Sequence, residues 1–299
     1  MLNIYEQIDA NKRRSFWVIA IFIAFVSAFG YFFSYIYGYD YSFMLIAVLI
    51  SGIGSWISYY NSDSIALSLS GAHPVTHKTH PTYYNIVQNL SGVAGIPVPK
   101  IAVIDSPALN AFATGRDPDH GTICVTQGLL DKMSRTEIEG VVAHELSHIR
   151  NYDTRLMTIV AILVGSIAMI INWSWRLSLH KGGNRDSKEG NAIVLVIGLI
   201  FIILAPIIGQ LIQLAISRRR EFFADASSAM ITRQPSGLIS ALKKIAASES
   251  IQLESANTAT AHLFIDDPLT TESHGSWLTK LFSTHPPIVE RIKALEGQA

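Results

Sequence analysis

The chain has 299 residues, 49% of them apolar and only 15% charged, with 23 basic and 23 acidic side chains and a net charge of zero. An ordinary soluble domain carries about 25% charged residues, so part of this chain is expected to meet lipid, while zero net charge argues against a nucleic-acid binder. A single cysteine, Cys124, excludes an intramolecular disulfide framework and any multi-cysteine zinc or iron–sulfur site.

Four stretches carry no charge at all: residues 15–37, 41–61, 156–175 and 191–217. Each is long enough to cross a hydrocarbon core, which takes about 20 helical residues. Trp17, Tyr35, Tyr37, Trp56, Tyr59, Tyr60, Trp173 and Trp175 lie near their ends, where interfacial aromatics belong. Lys12, Arg13 and Arg14 precede the first run, as in a signal peptide. Its apolar core is too long for one, and no A-x-A cleavage site follows, so it reads as an uncleaved anchor. Pro206, Gln210 and Gln213 interrupt the fourth run, and a helix pair closed over a catalytic domain would look similar. Basic residues orient the chain. Lys12, Arg13, Arg14, Arg150, Arg155, Arg218, Arg219 and Arg220 fall on one side of four crossings, and Arg176, Lys181, Arg185 and Lys188 on the other. That bias puts both termini and the polar bulk in the cytoplasm. The four runs take up about 90 residues, which leaves the rest of the chain about 22% charged, close to an ordinary domain.

The organisation is thus an anchor hairpin (1–61), a first polar part (62–154), a second hairpin (155–217) and a second polar part (218–299). In the first polar part, residues 86–93 suit a helix, and KIAVID (100–105), NAFATG (110–115) and GTICVT (121–126) read as short strands. His73, His77 and His80 lie among prolines without an adjacent acidic or cysteine partner and read as a solvated loop. Cys124 alternates with Ile123 and Val125 and reads as a packed small side chain. Ser134 and Glu137 form a capping-box pattern, followed by Ile138, Val141, Val142, Leu146 and Ile149 at helical spacing. After the fourth run, 219–230, 236–247 and 289–295 read as helices and 266–276 as a loop. The fold class is α+β: a helical membrane protein with four transmembrane or membrane-embedded helices and a mainly helical catalytic domain with a small β-sheet.

The helix after Ser134 carries His144-Glu145-Leu146-Ser147-His148, an H-E-x-x-H motif. Two histidines four apart lie about 40° apart around a helix and one turn along it, so both imidazoles can reach one ion. Glu145 stands about 100° from His144, within reach of a water at that ion. The pattern matches the zinc-peptidase arrangement, with the glutamate as general base, and is expected by chance only about 0.01 times in a chain of this composition. A catalytic zinc takes a third protein ligand and keeps one position open. The metzincin continuation, with a third histidine, is absent after His148. The best candidate is Glu221 in SRRREFFAD (217–225), with Asp225 one turn on to orient a ligand histidine. A charge pair between Glu221 and its neighbouring arginines at a membrane boundary is the competing reading. The hairpin between His148 and Glu221 would return the chain to the level it left, which favours the ligand.

With NAFATG, AHELSH (143–148), SRRREFFAD and STHPP (283–287) set between two N-terminal spans and a hydrophobic hairpin, the chain resembles the HtpX-type membrane zinc metallopeptidases, relatives of the CAAX prenyl proteases. Phe222 stands where that family often carries tyrosine. The resemblance implies a gluzincin-like site holding one zinc ion, with His144, His148 and Glu221 as ligands, Glu145 as base and Asp225 behind the ligands. It implies that Asn110 and Ala111 lie on an edge strand that aligns substrate by β-augmentation. It also implies that His285 and Arg291 help stabilise the oxyanion and bind substrate. The implied activity is hydrolysis of internal peptide bonds in misfolded or damaged membrane proteins, as quality control in the bacterial cytoplasmic (inner) membrane with the peptidase domain facing the cytoplasm. Protein substrates and the bilayer are the expected partners, and nucleic acid is not.

Two rival readings are open. An intramembrane site-two-type protease would bury H-E-x-x-H within a span and use an LDG-like aspartate. Here Arg150, Asn151 and Asp153 adjoin the motif, and no LDG occurs. A non-catalytic, zinc-stabilised scaffold or chaperone would usually lack the base or a ligand, and neither is missing. A transporter would carry ionisable residues inside its spans, and these four runs contain none.

Overall fold

The computed structural model describes residues 4–37, 41–160, 162–163, 218–248, 264–265 and 286–297. The first two uncharged runs fall in helices α1 (Ile4–Tyr37) and α2 (Tyr41–Tyr60), which pack against each other. Much of their side-chain detail lies outside the described residues, and among those described no helix is long and apolar enough to cross a membrane. Of the third expected span only 156–160 and 162–163 are described. The fourth span, the expected loop 266–276 and His285 lie outside the described residues.

The remainder is mainly helical around a small mixed sheet. Helix α3 (Ser62–Leu69) leads into strand β1 (Ala72–Pro74), and α4 (Pro81–Ala94) covers the expected helix 86–93. Pro81 opens α4 where no N–H is needed, and Gly95 ends it at φ +71°, in the left-handed region. The three expected strands follow as β2 (Lys100–Ile104), β3 (Ala111–Thr114) and β4 (Thr122–Thr126), then α5 (Gln127–Lys132) and α6 (Arg135–Arg150). Later in the chain come α7 (Arg218–Thr232), α8 (Pro235–Ala247) and α9 (Ile288–Glu296).

The sheet runs β1-β2-β4-β3, with β2 and β4 parallel and both outer pairs antiparallel. Its inner strands are covered on both faces, which explains why their runs are rich in β-branched residues and do not alternate with polar ones. Ile101, Val103, Ile123 and Val125 join α4, α6 and α8 in one apolar layer. Ala102, Ile104, Cys124 and Phe112 join Leu156, Val160 and Phe264 in the other, together with Val18 and Phe22 of α1. The N-terminal helix is therefore packed onto the polar part of the chain. Cys124 is the packed side chain expected of it, its thiol pushed up by burial and by the Glu145 charge. Strand β1 departs from the loop expected there. Pro74 removes a donor from a strand end, which an edge strand tolerates, and His73 stands 3.8 Å from Asp105, an acidic partner distant in sequence.

Helix α6 is buried from Glu137 to Ile149 on nearly every side. Its start is the expected capping box: Glu137 N–H donates to Ser134 Oγ at 3.4 Å, and Ser134 N–H donates to Glu137 Oε2 at 2.7 Å. Glu137 also accepts from Lys244 Nζ at 2.7 Å and Ser240 Oγ at 2.6 Å, tying α6 to α8. A Cβ at Gly140 would stand 2.5 Å from Leu238 N, and one at Gly237 2.5 Å from Thr136 O, so the two helices meet at backbone contact. Burial opposes the Glu137 charge, but the Lys244, Ser240 and Ser134 hydrogen bonds prevail and hold its carboxyl at about 2, below the ordinary 4.5. A depressed carboxyl contributes stability above its unfolded pKa and loses it as pH falls through the folded one. Glu137→Gln is therefore expected to destabilise the protein by about 1–3 kcal/mol at neutral pH. In denaturant melts the gap to wild type should close as pH falls from about 4.5 towards 2. A gap independent of pH would contradict this account.

Candidate metal centre

Helix α7 packs against α6, and Ser228 Oγ donates to the Gly140 carbonyl at 2.8 Å to pin the two together. This brings Glu221, in the first turn of α7, against the motif of α6. One ligand atom each from His144, His148 and Glu221 lies within 4.8 Å of the others, and all three residues are buried. His144 Nε2 and His148 Nε2 stand 3.2 Å apart, and Glu221 Oε2 and Oε1 lie 3.6 Å and 3.5 Å from them, respectively.

The donor set fits a zinc ion. Two nitrogens bound tetrahedrally at about 2.0–2.1 Å from a zinc stand about 3.3 Å apart, close to what these imidazoles present. The ring nitrogens facing away supply a second test. His144 Nδ1 is 2.9 Å from Asp225 Oδ1, and His148 Nδ1 is 3.1 Å from Asp153 Oδ2. Each Nδ1–H donates to a carboxylate, which fixes the tautomer and leaves both Nε2 lone pairs directed at one point.

Asp225 is itself held by Arg291 of α9, whose Nε and Nη2 donate to Oδ2 and Oδ1 at 2.9 Å and 2.7 Å. Arg291 is fully buried, and its Nη1 lies 3.7 Å from Glu221 Oε2. The guanidinium expected at the substrate is thus engaged with Asp225 behind His144. A fork-to-fork pair of this kind suits a site where removing one charge would strand the other. Burial opposes the Asp225 charge, and Arg291 and His144 outweigh it, holding the carboxyl at about 2. Burial and Arg291 push the His144 imidazole down, while Asp225 and Glu221 prevail and hold it up at about 9. His148 is also raised, with Glu221 and Asp153 outweighing burial. A proton and a cation compete for these imidazoles, so metal uptake releases protons.

Glu145 is buried on α6, one position round from His144. Asn110 and Ala111 stand where β3 begins, and β3 is an outer strand of the sheet. Asn110 accepts from Thr126 N–H at 3.0 Å, and the Ala111 carbonyl accepts from Ile265 N–H at 2.9 Å. The edge expected to take substrate is therefore met at Ala111 by the chain's own segment 264–265, with Phe112 bridged to Phe264.

Asp153 and Asn11 were not among the expected site residues. Asp153 follows His148 by five positions, a spacing that would point it away on a continuous helix. Tyr152, at φ +59°, breaks the helix and turns the carboxylate back. The available signal was a carboxylate just past an H-E-x-x-H helix.

The peptidase family M48 profile matches residues 77–299. The Protease HtpX homolog of Dictyoglomus turgidum is 43% identical over 292 residues, 97% of this chain and 93% of that protein. That of Thermoanaerobacter pseudethanolicus is 42% identical over 298 residues, 98% of this chain and 97% of its own, and that of Streptococcus uberis is 39% identical over 298 residues, 98% and 99%. Among solved structures, S. mikatae Ste24p aligns with 99% of this chain and 66% of its own, with a TM-score of 0.48 and 13% identity.

Proposed function

This chain belongs to peptidase family M48 and is a zinc metallopeptidase, and we propose that it works as a membrane-anchored endopeptidase on misfolded or damaged membrane proteins. The observation that carries the chemistry is the buried His144–His148–Glu221 group, with a carboxylate behind each histidine. The outward faces of the first two helices support the anchor. Leu45, Leu49, Ile53 and Trp56 follow one another along α2, each more than half exposed, as do Phe16, Trp17 and Ile21 of α1. An apolar stripe of that length suits lipid better than water. With the charge bias of the loops, this reading puts both termini and the catalytic part in the cytoplasm, with the four uncharged runs as spans of a bacterial inner membrane.

Zinc, when bound, supplies Lewis acidity that polarises the scissile carbonyl and brings water to a pKa of about 7. Glu145 accepts the proton of the attacking water and delivers it to the leaving amine nitrogen as the carbon–nitrogen bond breaks. Asp225 and Asp153 hold the ligand imidazoles in the productive tautomer. Arg291 acts through Asp225, so its role is positioning instead of substrate contact. His285 is assigned the oxyanion on the family resemblance. Asn110 and Ala111 are assigned to backbone pairing with substrate, which requires 264–265 to give up its place at Ala111.

The rival intramembrane reading gains no support, because polar Asn151 and Asp153 end the motif helix. In a test on the purified full-length chain in detergent, casein should be cleaved internally. Chelation should reduce cleavage to background, and added zinc should restore it. Cleavage that survives complete removal of metal would overturn the proposal.

A further inference from the structure

We propose that the N-terminal helix is part of the metal centre, with Asn11 of α1 a positioning residue for the ligand His148. The inference rests on the zinc-peptidase reading of the site. Asn11 is 2% exposed, and its Nδ2 donates to Asp153 Oδ1 at 2.7 Å and to the Asn151 carbonyl at 3.0 Å. Both partners can only accept, so the side-chain amide has one orientation that satisfies them. The other oxygen of Asp153 takes His148 Nδ1 at 3.1 Å. A single carboxylate thus joins the anchor helix to a metal ligand.

The turn that makes this contact holds one residue in a sparsely populated backbone conformation. Asn151 caps α6, Tyr152 takes the left-handed conformation that a bulky residue rarely adopts, and a new helical stretch starts at Asp153. Such a backbone persists where its surroundings over-determine it. Those surroundings include α1, from which Asn11 bonds the residues on either side of Tyr152 and Lys12 Nζ sits 4.6 Å from the centre of the Tyr152 ring. Val18 and Phe22, further along α1, bury into the layer that holds Leu156 and Val160, a packing contact separate from the Asn11 clasp. Arg220 of α7 approaches Asp153 Oδ1 at 3.8 Å, which brings the helix bearing Glu221 to the same carboxylate. The consequence is a site whose affinity for zinc depends on the hydrogen bonds of Asn11, although α1 supplies no ligand.

The test measures zinc affinity of the full-length protein in detergent by competition with a chromophoric chelator, together with melting of the metal-free form. Asn11→Leu keeps the branched four-atom side chain and removes the donor, and is expected to weaken zinc binding by about 10-fold, the lower end of what loss of an outer partner costs. In an Asp153→Ala background the same change should have no further effect, because both act through one carboxylate. Val18→Ala should lower the melting temperature and leave zinc affinity unchanged. Should Asn11→Leu fail to fold, Asn11→Asp sets an acceptor against Asp153 and is expected to weaken zinc at least as much. Unchanged zinc affinity in both Asn11 variants overturns the proposal, as does an effect that adds to that of Asp153→Ala or is matched by Val18→Ala. A wild-type chain that binds no zinc, or a Glu221→Ala variant that binds it undiminished, defeats the zinc-peptidase reading and this inference with it.

Discussion

Glu145→Gln is expected to bind one zinc per chain as tightly as wild type and to lose peptide hydrolysis by about 10²–10⁴-fold in kcat, the usual worth of a positioned general base. The two effects separate because Glu145 is not among the three groups whose ligand atoms converge. It lies on the same buried helix, so the near-isosteric amide should disturb neither the fold of α6 nor the spacing of His144 and His148. What the amide cannot do is accept the water's proton and return it to the amine. Casein cleavage and metal content measured on the same preparation check both halves. A variant that cleaves normally would remove Glu145 as the base, and one that has lost its zinc would make it a structural residue.

The chemistry was legible in the sequence because it is written in helical spacing. His144 and His148 four apart, and Glu221 and Asp225 four apart, put their side chains on single helix faces whatever the surrounding fold. The inner strands were legible because burial on both faces leaves a short run rich in β-branched residues. The short elements were not. Strand β1 contains Pro74, a poor strand residue anywhere but an edge, and α3 and α5 are too brief to show a period. The carboxylates behind His144 and His148 were half legible. Asp225 followed from its spacing to Glu221, whereas Asp153 depends on one left-handed residue, Tyr152, and Asn11 on the docking of a helix far away in sequence. Arg291 illustrates a different gap. Its number could be matched to a family motif, but its bond to Asp225 is a tertiary contact between α7 and α9.

Glu221 carries the other large expectation. As the one carboxylate in the convergent group, it would supply the negative charge and the third bond of the site. It also balances Arg291, whose Nη1 lies 3.7 Å away. Glu221→Ala removes both, leaving two imidazoles and a buried guanidinium with one carboxylate fewer to offset it. Zinc affinity should fall by more than about 100-fold, beyond the range seen when only an outer partner is lost, and hydrolysis should disappear with the metal. The decisive measurement is zinc stoichiometry on detergent-purified wild type and Glu221→Ala after identical dialysis. One zinc per chain in wild type and essentially none in the variant is the predicted result, and tight zinc retained by Glu221→Ala would contradict the site described here.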